Sequence, residues 1–305
     1  MRTDHTRLHW EGTFAMSVTS YPSKILLFGE YTILNGSQAL AMPYHRFNGH
    51  WSREVTGCAR REESIINLKK FSDHKCPESF NYKKLKHDLA SGLWFDSDIP
   101  NGYGLGSSGA LIAALYESYG IVSNDLQIIR EDLARLEDFF HGSSSGIDPL
   151  VSLIDKPLLI QQLNQVKSLE TSLNLSNFFL LNTFKPRQTG PLVQIYREKL
   201  KDPEFKKGCS EVLVRDVNLA INCMIENKHD DIFHHLWHIS KFQWEYFPEM
   251  IPTQVRGLWL KGIESGDFIL KLCGAGGGGY ILGYNHRLTE TQKTTNFKEF
   301  QILNF

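Results

Sequence analysis

A mixed fold of helices and strands in two domains is what the sequence predicts, on three observations. The chain has 305 residues, of which 41% are hydrophobic, and this suffices for one large domain or two of ordinary size. Short apolar runs typical of buried strands alternate with longer segments of helical periodicity. A polar stretch ending near Asn174 separates two such series, so we expect an N-terminal domain over residues 1–172 and a C-terminal domain over residues 173–305.

The N-terminal series begins with residues 23–28, an apolar run that stops at Gly29 and predicts a buried strand entering a turn. Residues 51–68 mix polar and branched side chains, a pattern typical of exposed antiparallel strands. Residues 81–94 favour a helix. Residues 111–119 and 124–140 predict two more, and the second has a core-facing apolar stripe formed by Leu126, Ile129, Leu133, Leu136 and Phe140.

The C-terminal series begins with a predicted strand at residues 178–181, and helices follow to about residue 265. Residues 268–272 and 280–284 predict a pair of strands joined by a glycine-rich segment. Residues 300–305 predict a closing strand.

Composition argues against several classes of partner. Thirty-three basic and 34 acidic side chains give a formal charge of -1, without the basic excess that nucleic-acid binding needs. No apolar run is long enough to span a membrane, and no signal peptide is recognisable. The five cysteines include no C-x-x-C pair, which is typical of reduced thiols. We therefore expect a cytoplasmic protein with a small-molecule substrate and neither nucleic-acid nor membrane partners.

The most informative segment is residues 100–115, where a glycine- and serine-rich turn directly precedes a helix-forming run. Gly102, Gly104, Gly106 and Gly109 allow backbone angles closed to other residues, and the run turns helical from Ala110. The free N–H groups and the positive dipole end of that helix would face whatever the turn holds. The segment therefore predicts an anion site, and a phosphate is its natural occupant.

Other interpretations of this turn are weaker. Residues 104–109 satisfy the G-x-G-x-x-G pattern of dinucleotide-binding folds, but they follow Pro100 and Asn101 rather than an expected strand. No lysine follows the last glycine, so a P-loop is not indicated. A purely structural helix cap stays open from this turn alone.

Two further segments favour the phosphate site. Residues 140–149 carry a lone carboxylate, Asp148, in a turn of small residues after the amphipathic helix. Residues 274–279 hold five glycines in six positions after a predicted strand. So many glycines cost unfolded-state entropy, which indicates that the native backbone requires them.

These segments, in this order, resemble the motifs of the GHMP kinase superfamily, most closely those of its mevalonate kinase branch. Residues 23–36 are similar to the first motif, residues 100–108 match P-x-x-x-G-L-G-S-S, and residues 274–279 match G-x-G-x-G-G. Residues 141–148 match the branch hallmark H-G-x-x-S-G-[IV]-D, and Glu137 stands eleven residues before Asp148 as in that branch.

The resemblance implies an α+β, two-domain GHMP kinase fold, with an N-terminal ribosomal protein S5 domain 2-like domain and a C-terminal ferredoxin-like α/β domain. It also implies transfer of the γ-phosphoryl group of ATP to the primary hydroxyl of mevalonate, with ATP and Mg²⁺ as cofactors. By analogy alone it suggests a homodimer.

Site residues follow from the same resemblance. Asp148 and Lys24 would be catalytic, Asp148 receiving or orienting the hydroxyl proton. Ser108 and Glu137 would hold magnesium, and Arg187 would lie near the acceptor. The cofactor contacts would be Gly104, Leu105, Gly106, Ser107, Ser108, Gly274, Ala275, Gly276 and Gly277. The substrate contacts would be Glu30, Tyr31, Ser145, Gly146 and Thr189.

Departures from the family pattern keep the acceptor open. Tyr31 stands where mevalonate kinases usually have histidine, Ser144 and Pro149 replace a common proline and asparagine, and Gly109 replaces an alanine. Phosphomevalonate or a sugar is therefore an alternative acceptor. An alternative of another class is a non-catalytic sensor that binds a nucleotide or other ligand.

Overall fold

The computed structural model describes residues 19–54, 59–73, 80–121, 123–142, 144–161, 165–187 and 189–305. Two antiparallel sheets, one in each half of the chain, form the framework. Their buried side chains and those of the helices join in one continuous hydrophobic core. Within the described residues, no helix has the length and apolar character needed to cross a membrane.

The first sheet is built around its long second strand, β2. All its pairings are antiparallel: β2 contacts β1 along one edge, and β3 and β4 on the other, with β5 beyond β4. The strands are β1 (Ser20–Phe28), β2 (Ala39–Ser52), β3 (Trp94–Ser97), β4 (Leu158–Gln161) and β5 (Gln165–Ser168).

Five helices accompany this sheet: α1 (Ala59–Asp73), α2 (Tyr82–Ala90), α3 (Ser107–Tyr119), α4 (Leu126–His141) and α5 (Ile147–Ile154). Helix α3 is the central one, since eight of its 13 residues are buried and it packs against α4, α5 and β1. Helix α4 begins at a cap in which the Asp125 side chain accepts the Gln127 N–H at 2.8 Å, and it ends at Gly142 with φ 71°.

The second sheet has the strand order β7-β8-β6-β9, again wholly antiparallel. Helices α9 and α10 pack against β7. The strands are β6 (Phe178–Asn182), β7 (Phe268–Leu272), β8 (Tyr280–Asn285) and β9 (Gln301–Asn304). The helices are α6 (Thr189–Lys199), α7 (Pro203–Gly208), α8 (Arg215–Ile225), α9 (His229–Tyr246), α10 (Arg256–Ser265) and α11 (Glu290–Asn296), with a π-helical segment at Cys209–Val214.

The structure corrects four details of the sequence analysis. Residues 59–68 lie in a helix, α1, because the charged helix formers around Ile65 and Ile66 outweigh the β preference of that branched pair. Gly109 lies inside α3 and not in a turn of positive φ. Asp148 lies in the first turn of α5. A strand, β3, does precede the glycine turn, but it pairs antiparallel with β2, unlike the parallel strands of a dinucleotide-binding fold.

The boundary between residues 172 and 173 stays a prediction. The change of sheet supports it, because the first sheet ends at Ser168 and the second begins at Phe178. The polar stretch between the two halves is only partly a linker, because β5 forms within it.

Gly109 allows α3 and α5 to touch. A Cβ added there would lie 2.9 Å from both the Asp148 carbonyl carbon and the Pro149 nitrogen, and this backbone cannot yield as a flexible side chain would. We therefore expect Gly109→Ala to destabilise the protein by about 1–3 kcal/mol through overpacking.

Gly257 is the matched control, because it also lies in a helix and a Cβ there would meet nothing within 4 Å. Gly257→Ala should be neutral or stabilising by up to about 1 kcal/mol. Denaturant unfolding measures the stability of both variants. Equal stabilities of Gly109→Ala and Gly257→Ala would contradict the close contact of α3 with α5 at Gly109.

Candidate active site

A cavity of about 840 Å³ opens between the two halves of the chain. It brings together residues from β1, α3, α4, α5 and α6, which are far apart in sequence. Its walls are formed by Lys24, Pro100, Asn101, Gly102, Gly104, Leu105, Gly106, Ser107, Ser108, Glu137, Ser144, Ser145, Asp148, Arg187, Thr189, Gly190, Val193, Gln194 and Arg197.

The glycine turn leads into α3 at the cavity wall. Gly104 and Gly106 have φ 75° and 74°, and Gly106, the N-cap of the helix, has no side chain that could accept the first-turn amides. Ser107 and Ser108 form that first turn. The Leu105 side chain is buried, and its carbonyl accepts the Lys24 N–H at 2.8 Å, which fixes the turn to β1.

Lys24 and Asp148 meet in an ion pair. Lys24 Nζ lies 2.9 Å from Asp148 Oδ1, and the side chains are 8% and 37% exposed. The Ser152 hydroxyl donates to the Pro22 carbonyl at 2.7 Å, which anchors α5 to β1 beside the pair. A buried ammonium with a carboxylate facing the cavity can orient a hydroxyl group and a phosphate together.

Glu137 projects from α4 toward the first turn of α3. Ser108 Oγ donates to its Oε1 at 3.1 Å, and Ser144 Oγ donates to its Oε2 at 2.5 Å. Burial, and next the negative charge of Asp148, raise the pKa of Glu137 from 4.5 to about 7, although both serine hydroxyls favour the ionised form. A cation at this carboxylate would offset both effects.

The glycine-rich segment 274–279 lies behind the phosphate turn and does not line the cavity. A Cβ on Gly279 would lie 2.5 Å from the Tyr103 carbonyl, and one on Gly276 would lie 2.4 Å from the Met250 carbonyl. Gly277 donates its N–H to that same Met250 carbonyl at 2.6 Å. Close packing explains the glycines, and none of the predicted cofactor residues Gly274, Ala275, Gly276 and Gly277 lines the cavity.

Arg187 clamps the two glycine segments together. Its Nη1 donates to the Cys273 carbonyl at 2.9 Å, and its backbone N–H donates to Gly102. Cβ atoms added at Gly104 and Gly274 would lie 1.9 Å and 2.7 Å from its Nη2, so a side chain at either position would have to displace the guanidinium. The next residue in the chain, Gln188, lies outside the described residues.

Glu30 and Tyr31, predicted as substrate contacts, do not line the cavity. Glu30 is buried, with its Oε1 2.7 Å from Lys271 Nζ and 3.0 Å from Gln243 Nε2. Burial raises the pKa of Glu30, and Lys271 partly offsets this. The Tyr31 hydroxyl donates to the Ala275 carbonyl at 2.5 Å. Because these contacts join the turn after β1 to the second domain, both residues lie between the domains in the structure.

The remaining predicted substrate residues lie at or beside the cavity. Ser145 and Thr189 line it. Gly146 has φ 72° and caps α5, and a Cβ there would lie 2.1 Å from the Arg130 carbonyl. Arg197, which was not predicted, also lines the cavity, and it shares a face of α6 with Thr189 and Val193 at a spacing of four residues.

Residues 142–146 also have the G-x-S-x-G spacing of a hydrolase nucleophile turn, with Ser144 at its centre. That turn would have to follow a strand, whereas here α4 precedes it. The Ser144 hydroxyl donates to the Glu137 carboxylate and not to the imidazole that activates a nucleophilic serine. The geometry therefore disfavours a nucleophilic serine, while Ser143 lies outside the described residues.

Hard oxygen donors face the helix that would hold phosphates. Ser108 Oγ and the Glu137 carboxylate fit magnesium, which binds through one or two carboxylates and the phosphates of its nucleotide. No group of three or more His, Cys, Asp or Glu side chains suited to a metal occurs among the described residues. This donor set suits an ion shared with a nucleotide rather than one held by the protein alone.

Comparisons with known proteins agree with this geometry. Residues 74–155 match the GHMP kinases N terminal domain. The mevalonate kinase of Pyrococcus abyssi is 31% identical over 174 residues, 48% of this chain and 51% of that protein. The match thus spans about half the length of that relative. The mevalonate kinase of Dictyostelium discoideum is 25% identical over 92% of this chain and 90% of that protein.

Solved structures share the fold across nearly the whole chain. L. major mevalonate kinase in complex with R-mevalonate has a TM-score of 0.62 at 16% identity, over 93% of this chain and 91% of that one. Streptococcus pneumoniae phosphomevalonate kinase in complex with phosphomevalonate and AMPPNP has a TM-score of 0.60 at 15% identity, over 95% and 100%. Lactococcus lactis galactokinase complexed with galactose has a TM-score of 0.61 at 14% identity, over 95% and 93%. Residues 74–155 thus match the GHMP kinases N terminal domain, mevalonate kinases are among the relatives of this chain, and its two-domain fold is that of the solved GHMP kinase structures.

Proposed function

We propose that this chain is an ATP- and magnesium-dependent kinase that phosphorylates the primary hydroxyl of mevalonate. The observation that carries the proposal is the cavity itself, in which the Lys24–Asp148 ion pair and the Ser108–Glu137 contact border the phosphate turn. Mevalonate kinase relatives support the acceptor, and the neighbour solved with AMPPNP supports a nucleotide.

The phosphate turn and the start of α3 would hold the nucleotide. Gly104 and Gly106 would let the backbone approach the phosphates, and amides at the start of α3 would donate to them. Ser108 and Glu137 would hold the magnesium ion. When bound, magnesium–ATP supplies the phosphoryl group and neutralises charge that develops on it.

Asp148 would aim the acceptor hydroxyl. Because the transition state of phosphoryl transfer is loose, the nucleophile needs little prior deprotonation, and Asp148 can accept the proton late. Lys24 holds the Asp148 carboxylate at 2.9 Å and presents its positive charge to the transferring group. Positioning and charge stabilisation together carry the proposed reaction.

An anionic acceptor suits the far wall of the cavity. Mevalonate carries a carboxylate as well as its hydroxyl groups. Arg197 lines the cavity, and no described residue forms an ion pair with it, so its charge is available to a ligand. This observation favours mevalonate or phosphomevalonate over a neutral sugar.

The same cavity in a non-catalytic sensor would bind a nucleotide without turnover. The Lys24–Asp148 pair argues against this alternative, because a sensor needs no ammonium and carboxylate directed at an acceptor. Lys24, Glu137 and Asp148 all line the one cavity.

An acceptor panel tests the proposal. We expect ATP-dependent release of ADP, measured in a coupled assay, with mevalonate and much less with phosphomevalonate or galactose. ADP release with phosphomevalonate alone or galactose alone would identify that compound, instead of mevalonate, as the acceptor. Nucleotide binding without release on any acceptor would support the sensor.

Asp148→Asn should lower kcat by about 10²- to 10⁴-fold with a modest change in ATP affinity, because it keeps the side-chain shape but cannot accept the proton. Asp155→Asn is the control, since Asp155 caps the other end of α5 and pairs with the exposed His45. Steady-state kinetics measure both. Near-normal turnover in Asp148→Asn would remove Asp148 from the reaction.

The raised pKa of Glu137 predicts a pH-dependent cost to stability without divalent cations. Between 4.5, the ordinary value, and about 7, the folded protein binds more protons than the unfolded chain, so its stability falls as pH rises through that window. Glu137→Gln removes this titration and should become more stable relative to wild type between pH 5 and pH 8.

Thermal unfolding in EDTA at both pH values measures this, with Glu131→Gln, a change at an exposed glutamate of the same helix, as the control. If the difference in stability between Glu137→Gln and wild type does not vary with pH, the Glu137 carboxyl ionises with its ordinary pKa.

A further inference from the structure

We propose that Ser144 is a positioning residue that sets the orientation of the Glu137 carboxylate toward the magnesium ion and couples it to the helix bearing Asp148. The inference rests on the proposed function. Ser144 stands where the family resemblance leads one to expect proline, which has no hydroxyl, so the contact is a property of this chain.

The Ser144 hydroxyl makes two hydrogen bonds with fixed directions. The Gly146 N–H donates to Ser144 Oγ at 3.0 Å. An amide N–H can only donate, so the hydroxyl proton is left for Glu137 Oε2, which accepts it at 2.5 Å. A hydrogen bond to an ionised carboxylate is of the stronger, charge-assisted kind.

Ser144 and Ser108 each hold one oxygen of the same carboxylate. Ser108 contacts Oε1 from the first turn of α3, while Ser144 contacts Oε2 from the turn that precedes α5. Two contacts on opposite oxygens fix the rotation of the carboxylate plane. Oε1 is thereby directed to the side of α3 where the phosphates would bind, and this is the oxygen that a shared cation needs.

The turn that carries Ser144 cannot move independently of Asp148. Gly146 caps α5 in the left-handed region, against the Arg130 carbonyl, and Asp148 follows two residues later. Arg130 Nη1 also donates to the Ser145 carbonyl at 2.8 Å, which holds the turn on α4. Ser144 therefore links the predicted metal carboxylate to the predicted catalytic one.

Cation binding measured directly tests the proposal. Mn²⁺ serves as the probe, and its free concentration is followed by electron paramagnetic resonance in the presence of ADP. Loss of a hydrogen bond behind a metal ligand costs about 10- to 100-fold in metal affinity, so Ser144→Ala should weaken ADP-dependent Mn²⁺ binding about tenfold or more. Ser144→Thr, which keeps the hydroxyl, should restore it.

Ser123→Ala is the matched control. The Ser123 hydroxyl accepts the Asp125 N–H at 3.1 Å, the same bond to the amide two residues on, but it is not among the cavity-lining residues. We expect its Mn²⁺ affinity to equal that of wild type. In a Glu137→Gln background, Ser144→Ala should cause no further loss of Mn²⁺ affinity. A loss caused only by damage to the turn would still be seen in that background.

Wild-type protein that binds no Mn²⁺ with ADP would defeat the proposed function itself. Wild-type binding that Ser144→Ala leaves unchanged would overturn only the positioning role. Should Ser144→Ala fail to fold, Ser144→Cys keeps the shape with a weaker donor, and unchanged binding by that variant would likewise reject the proposal.

Discussion

The contact between β1 and the first turn of α5 is the constraint on which the site depends. It places the Lys24 ammonium, which is only 8% exposed, within 2.9 Å of Asp148. A buried charge without a partner costs several kcal/mol, so the lysine is tolerated there because the carboxylate is present. The Ser152 hydroxyl bond to Pro22 and the absence of a side chain at Gly109 allow α5 to lie this close to both β1 and α3. The ion pair is thus a consequence of the backbone approach, and the phosphate turn is aligned with it because Lys24 also donates its N–H to Leu105.

Contacts between the domains determine the shape of the cavity. Glu30 binds Lys271 in the buried interior, Tyr31 donates to the Ala275 carbonyl, and Arg187 lies between Gly104 and Gly274. A buried ion pair of this kind adds little net stability, but breaking it leaves an unpaired charge, so it favours one relative arrangement of its two elements. The glycine-rich segment therefore contributes by letting the second domain approach the phosphate turn, which explains why its residues pack behind the turn instead of facing the cavity.

Those strands and helices whose local sequence pattern is clear could be predicted from the sequence. The strands at residues 23–28 and 268–272 are apolar runs bounded by glycine, and the stripe of α4 has clear helical spacing, so local pattern was sufficient. The helix α1 was predicted as strands, because only Leu68, Phe71 and Ser72 of it are buried and the apolar periodicity is weak. Glu30 and Tyr31 follow a motif that indicates the site, but their side-chain directions depend on partners more than 200 residues away, Lys271 and Ala275, which no local pattern reveals. Arg197 could have been found from its four-residue spacing with Thr189 and Val193.

The two walls of the cavity carry different charges, and in the proposed reaction only one of them would select the acceptor. Burial, and next the negative charge of Asp148, raise the pKa of Glu137, and Lys24 compensates for only part of this. The wall near α3 therefore favours a cation, and in the proposed reaction a cation shared with phosphates would neutralise it whichever acceptor hydroxyl is bound. In the proposed reaction the acceptor would be distinguished on the α6 wall instead, where Arg197 has no ion-pair partner among the described residues. Because the two walls belong to different domains, the proposed acceptor preference could change on α6 without disturbing the phosphate turn. This separation is consistent with one fold serving the mevalonate, phosphomevalonate and galactose kinases that it resembles.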